Sequence, residues 1–567
     1  MAQDLHYELF QKCDGRWQFR EALFKREDAL SRARSLAGGR QIEAVKLIEH
    51  GYDIATGHFE AACIFASGEG AAAADTEAGT LLWTGPDDFF SLPFRKTIAL
   101  YLGDFLARQK LTPTEFVHRA DALKTFEGTD SVFKHAIQKI ALVQAKATRQ
   151  SAQSVIKILN TEVTAALRKV YEDDARGRFP ELKAGGIAAT AQALAGEPDA
   201  DYLFAGALAR YLKPASSWPG KLEALLAVLD EAPAAGEAHR LIAGTVDLML
   251  EEMLSSFSSL YELIGARESL FVTVTDLASL LRGGEQGAIA GLPALGELAR
   301  RFAQRQLPQA HRAVSLRVQA ELKSKKRLCP TSIVDEIKAI RTIAGALTRA
   351  AGPCLAPEEL TAAFTLRSRL VANEAALNEM VSDTSTPDDK IERVLYVLEQ
   401  VVGSASRNEI GRYLMRLISG TGFEGHYLTA KQAPDVMLKR LADMQDHILR
   451  SSLAKEMRED IAAVLDRLAV QVETKTGFFK LLEAKGRNGV EVALSYLRLC
   501  KGGLTQGRLS DRAYKAALKC TAQPNFTSTA RSCAAAAAEA GDRDALGDLA
   551  SLLEMAVNPA EPSRILA

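Results

Sequence analysis

The chain has 567 residues, 47% hydrophobic and 25% charged, with a formal net charge of -1. Its length exceeds that of one ordinary core, so several packed units are expected, and the composition is that of a globular chain able to bury them. The near-zero charge excludes a whole-chain role in coating nucleic acid or a membrane surface, though not a local patch. The opening MAQDLHYELF lacks a basic stretch followed by an apolar run, and no segment is apolar for the length of a bilayer; neither a secretory leader nor a membrane span is expected. The seven cysteines, at 13, 63, 329, 354, 500, 520 and 533, form no Cys-x-x-Cys. They read as reduced thiols in the cytoplasm rather than a zinc ribbon or a redox pair. Abundant Ala, Leu and Arg suit a bacterial chain from a GC-rich genome.

In chain order, HYELFQKC alternates Tyr7, Leu9 and Gln11 against Glu8, Phe10 and Lys12. Asp14-Gly15 is a hairpin signal, and RWQFREALF alternates again. KREDALSRARSLAGG is a short amphipathic helix with Ala29, Leu30, Ala33 and Leu36 on its apolar face and Gly38-Gly39 at its end. QIEAVKLIEHGYD and GHFEAACIFAS return as strands. Residues 1–68 therefore predict a small ββαββ module packed on one face by one helix, its aromatics forming a core. The functional alternative leaves the other sheet face free to dock a peptide, a ligand or a second copy. The small-residue stretch ASGEGAAAADTEAG predicts a flexible linker over 69–90; its GEG lacks the glycines and context of a dinucleotide fingerprint.

Beyond the linker the pattern is helical. Thr112, Pro113 and Glu115 form a helix-start signal. From Thr129 to Arg176 there is neither Gly nor Pro, which predicts a helix over about 129–176, or two helices broken in the polar stretch around Ser151. Asp435 to Thr476 reads as a helical hairpin turning at RSSLAK. No fixed repeat period is present. The expected fold class is mainly α, a multi-helix bundle or irregular α-solenoid with a small N-terminal α/β module. The expected units are the module 1–68, the linker 69–90, and helical domains at 91–285, 286–430 and 431–567.

Chemistry-bearing motifs are sparse. Glu115-x-x-His118 has the spacing of a di-iron ligand pair but lacks a second such pair, and the other histidines stand alone in sequence. His-Glu-x-x-His, Gly-x-Ser-x-Gly and Walker patterns are absent. No metal, cofactor or catalytic residue is expected. YEDDARGR gathers three carboxylates at a helix end, and GTGFEGHYL reads as a link between helices. The strongest electrostatic feature is the band 300–327, where Arg301, Arg305, Arg312, Arg317, Lys323, Lys325, Lys326 and Arg327 join Arg300 against the single acid Glu321. Such a band is a candidate contact for an anionic partner, with Arg301 and Arg305 one turn apart as a phosphate clamp. These features predict a non-enzymatic cytoplasmic regulatory or scaffold protein that binds partner proteins, or itself, through its helical body and its N-terminal module. The alternatives are a binder of nucleic acid or an anionic nucleotide through the band, and an enzyme whose site is assembled from scattered residues.

Overall fold

In a computed structural model, the described residues are 3–39, 42–53, 59–68, 85–127, 130–183, 185–283, 293–350, 355–429 and 431–557. Among them are twenty-seven α-helices and one four-stranded sheet, so the chain is mainly α with a small N-terminal α/β module. By packing it forms two units, Met1–Arg367 and Ser368–Ala567. The first unit thus holds the module together with the helices that follow it. Most of the expected linker, 69–84, lies outside the described residues; its end, Pro86–Phe90, is a 3-10 turn with Phe89 buried.

The module is built from β1 (Gln3–Cys13), β2 (Arg16–Leu23), α1 (Arg26–Ala37), β3 (Ala44–Asp53) and β4 (Phe59–Gly68). The strands are antiparallel in the order β2-β1-β3-β4. Asp14 and Gly15 both take positive φ, 51° and 71°, as a tight hairpin of Asp-Gly type requires. Because side chains alternate across a strand, Tyr7, Leu9, Val45 and Leu47 share one face, where they bury Ala29 and Ala33 of α1. The opposite face carries Phe10 and Ile48, and it is not free: both pack on Ala362 of the helix Pro357–Ala372, with Trp17 and Phe19 alongside. Of the aromatics expected to form the core, Phe10 and Tyr52 are buried and Trp17 and Phe19 partly so, but Phe24 is 53% exposed.

After the module in the chain, α2 (Leu92–Gln109), α3 (Pro113–His118), α4 (Ala120–Glu127), α5 (Asp130–Thr148) and α6 (Ala152–Ala175) enclose a core that includes Phe105, Phe116, Phe126, Leu159 and Val163. The Gly- and Pro-free stretch is two helices. Arg149 takes φ 57°, and Ser151 Oγ accepts the amide of Ser154 at 3.2 Å, starting α6 afresh. Inside this bundle lies an almost wholly apolar cavity of about 40 Å³.

Every regular element among the described residues of the second unit is a helix. Pro434–Arg450 and Lys455–Thr476 form the expected hairpin, turning at Ser451 to Ala454. GTGFEGHYL is itself a helix, Thr421–Thr429, rather than a link. Phe423 and Tyr427, one turn apart, are buried there, and the Tyr427 hydroxyl donates to Asp388 at 2.8 Å. That anchoring outweighs the poor helix propensity of Gly422 and Gly425. The Asp466 carboxylate accepts the amides of Arg508 and Leu509 at 2.7 and 3.2 Å and so caps the helix Arg508–Thr521.

Candidate ligand site on the buried sheet face

The second face of the sheet carries a line of polar side chains. His6 and Glu8 are two apart on β1, and His50 stands directly opposite His6 on β3. Residues at i and i+2 share a face, and directly opposed residues lie within side-chain reach. The sequence alternation thus brings together three side chains that are isolated along the chain. Glu8 is 1% exposed. His6 Nε2 lies 3.1 Å from its Oε1, and His50 Nε2 lies 3.1 Å from its Oε2, without a hydrogen-bonding angle in the latter case. The two imidazoles stack with ring centroids 4.9 Å apart and planes 9° from parallel. One ligand atom from each of the three residues falls within 4.8 Å of the others, the single such group of His, Cys, Asp or Glu among the described residues.

A cation from the helical body completes the cluster. Lys323, the last residue of the helix Pro308–Lys323, places Nζ 2.9 Å from Glu8 Oε1 and 3.0 Å from Oε2. Burial alone would raise the Glu8 pKa, but the nearby His50 and Lys323 and the hydrogen bond from His6 hold it well below the usual carboxylate range. Burial pushes His50 down to about 4 against the pull of Glu8, so its imidazole is neutral at pH 7.

A second carboxylate sits beside the first. Glu321, one turn from Arg317, receives the Tyr52 hydroxyl of β3 at 3.3 Å, the Tyr261 hydroxyl at 3.3 Å, and the Arg317 guanidinium. Burial and this carboxylate push Tyr261 up to about 12. Arg317 also lies over the Phe257 ring, 4.7 Å from its centroid. Arg367, fully buried, donates to the carbonyls of Glu321 at 2.7 Å, Leu322 at 3.0 Å, and Lys326. A guanidinium on the last carbonyls of a helix satisfies its orphan acceptors and complements its dipole. Burial lowers Arg367 to about 10, opposed by Glu336 and Glu321.

The band 300–327 is therefore not one surface. Arg317 and Lys323 point inward onto this chain's own carboxylates, and Lys326 lies over the Tyr52 ring. Arg300 and Arg301 pair with Glu297, and Arg301 also with Asp230. The helix Pro293–Ala303 ends before Arg305, which takes φ 57°, so Arg301 and Arg305 do not sit one turn apart on one helix. Arg305, Arg312, Lys325 and Arg327 are exposed.

The other motifs close on internal partners too. Glu115 completes the capping box with Thr112 and accepts Lys221 Nζ at 2.5 and 2.6 Å. His118 Nδ1 is 2.8 Å from the Thr114 carbonyl, and burial pushes this imidazole down to about 3. Beside them Glu252 accepts the Thr114 amide and hydroxyl, both at 2.8 Å, and burial raises it to about 7 against Arg95 and Thr114. In YEDDARGR, Glu172 pairs with Arg176, Asp173 with Arg178, and Asp174 with Arg210. A cavity of about 500 Å³ in the second unit is lined by Asp388, His426, Arg440 and His447, but Asp388 is taken by Tyr427 and His447 pairs outward with Glu399. No known family pattern, no curated protein and no solved structure matches the chain.

Proposed function

We propose that the chain is a non-enzymatic regulatory or scaffold protein of the cytoplasm, whose helical body binds partner proteins and whose N-terminal module sets its state. The observation that carries this reading is the seam between the sheet and the helix Pro308–Lys323. It is held by Lys323 on Glu8 and by Tyr52 on Glu321. An apolar seam of the same volume would commonly be as stable or more so. A seam fastened by charge suits a switching element, because altering one group shifts the balance between fastened and released states. Among the described residues no two cysteines are joined by a disulfide. Among the described residues no helix is long and apolar enough to cross a membrane.

The test compares full-length protein with its Glu8→Gln variant in native lysate, followed by mass spectrometry of what each retains. The expected result is a stoichiometric protein partner, or a second copy, whose capture changes several-fold in the variant. Deleting residues 1–68 is the poorer choice, since it would uncover Glu321 and Lys323. Equal capture by both forms removes the module from the mechanism. A retained small molecule that the protein converts would overturn the reading in favour of an enzyme.

A further inference from the structure

The three side chains beneath the module invite a use that structural support does not explain. A carboxylate already satisfied by Lys323 needs no imidazole on each side of it. Yet His6, Glu8 and His50 converge from two adjacent strands, and the buried His50 Nε2 has no hydrogen-bond partner. We infer that His6 Nε2, the Glu8 carboxylate and His50 Nε2 form a binding site for a divalent cation of the zinc class, which enters by displacing the Lys323 ammonium.

The donor set selects the cation. Two imidazoles and one carboxylate suit zinc and its borderline neighbours, whereas calcium and magnesium prefer all-oxygen shells. Three protein ligands leave a fourth position open, as in zinc sites that bind water or a further ligand. The spacing fits after small side-chain movements. Donor atoms within 4.8 Å of one another can each reach a central ion at about 2.0–2.2 Å once the stacked rings tilt together. The strands fix the backbones of all three ligands, so only rotamers change. The His50 side chain, 14% exposed against 1% for Glu8, is the open edge through which the ion reaches the carboxylate.

Lys323 gives the site its logic. Its ammonium occupies both Glu8 oxygens, so lysine and metal ion compete for one anion. With the ion bound, the sheet's charge is neutralised from within and Lys323 is released. Metal occupancy and the Lys323–Glu8 fastening are thus mutually exclusive. The inference stands apart from the regulatory reading, since it concerns only what these side chains bind.

The test uses untagged full-length protein titrated with Zn²⁺ alone, read by calorimetry and thermal shift, and with Co²⁺, read by absorption. Wild type is expected to bind one ion at this site, with a Co²⁺ spectrum free of thiolate charge transfer. His50→Gln and His6→Gln should each weaken binding by about 10-fold or more. Lys323→Met, which leaves Glu8 unpaired, should melt lower than wild type without metal and gain more than wild type on adding Zn²⁺. Binding unchanged in both histidine variants overturns the site. Should either histidine variant fail to fold, Lys323→Met decides: a Zn²⁺ response no larger than that of wild type overturns the inference.

Discussion

Glu252 shows how burial writes pH dependence into a single side chain. Its carboxyl is 8% exposed and raised to about 7, mainly by burial, which the Arg95 charge and Thr114 hydrogen bonds offset only in part. A carboxyl whose folded pKa lies above its unfolded value binds its proton more tightly in the folded chain. Its contribution is therefore full below the unfolded value near 4.5 and is lost as pH rises toward 7. Glu252→Gln removes that titration while keeping an acceptor for Thr114. From about pH 5 to pH 7.5, wild type should lose about 2 kcal/mol of stability relative to the variant. Urea unfolding followed by tryptophan fluorescence checks this, because Trp17 and Trp218 lie within the first unit. Parallel pH profiles for the two proteins would show that Glu252 does not titrate in this range. The same residue scale shows what the sequence hid. The alternation of HYELFQKC places Glu8 with Phe10, but nothing local says that His50 faces His6. That pairing depends on the β1–β3 register, which α1 and its connections set across more than forty residues. An i, i+2 pair of His and Glu on a strand, with a further His on the next strand, is the signal that was available.

At the scale of elements, periodicity and turn chemistry carried most of the fold. The strands, the hairpin at Asp14-Gly15, α1 and the Pro434–Thr476 hairpin all follow from side-chain spacing and from residues suited to turns. The long 129–176 stretch stayed open between one helix and two because no Gly or Pro marks its break. The marker is Ser151, whose hydroxyl competes for backbone amides and starts a second helix. Ser151→Ala should cost the first unit about 1 kcal/mol, whereas Ser151→Asp, which keeps the cap and adds a charge favourable to the helix dipole, should cost nothing. Urea midpoints for the two variants that fall together would sink the capping account. The GTGFEGHYL helix marks the opposite failure. Three glycines read as a link, and only the burial of Phe423 and Tyr427 makes the segment helical. Packing that overrides local preference is invisible in a single stretch of sequence.

At the scale of the whole molecule, a formal charge of -1 conceals how the charges are spent. Arg300, Arg301, Arg317 and Lys323, which in sequence form a basic run, each meet an acid of the same chain. Duplex DNA should therefore show no saturable binding by fluorescence anisotropy at low salt, and Arg301→Ala with Arg305→Ala should leave the signal unchanged. Tight binding that falls steeply with added salt would restore the anionic-partner reading. The arrangement around Arg367 bears on where this chain can be divided. It is the last residue of the first unit, and it closes the end of the helix that presents Glu321 and Lys323 to the sheet. A fragment cut even one residue short of it would keep every strand of the module and lose the clasp beneath them. One side chain's reach back over 45 residues thus ties the helix Pro357–Ala372 to the end of the helix that presents Glu321 and Lys323.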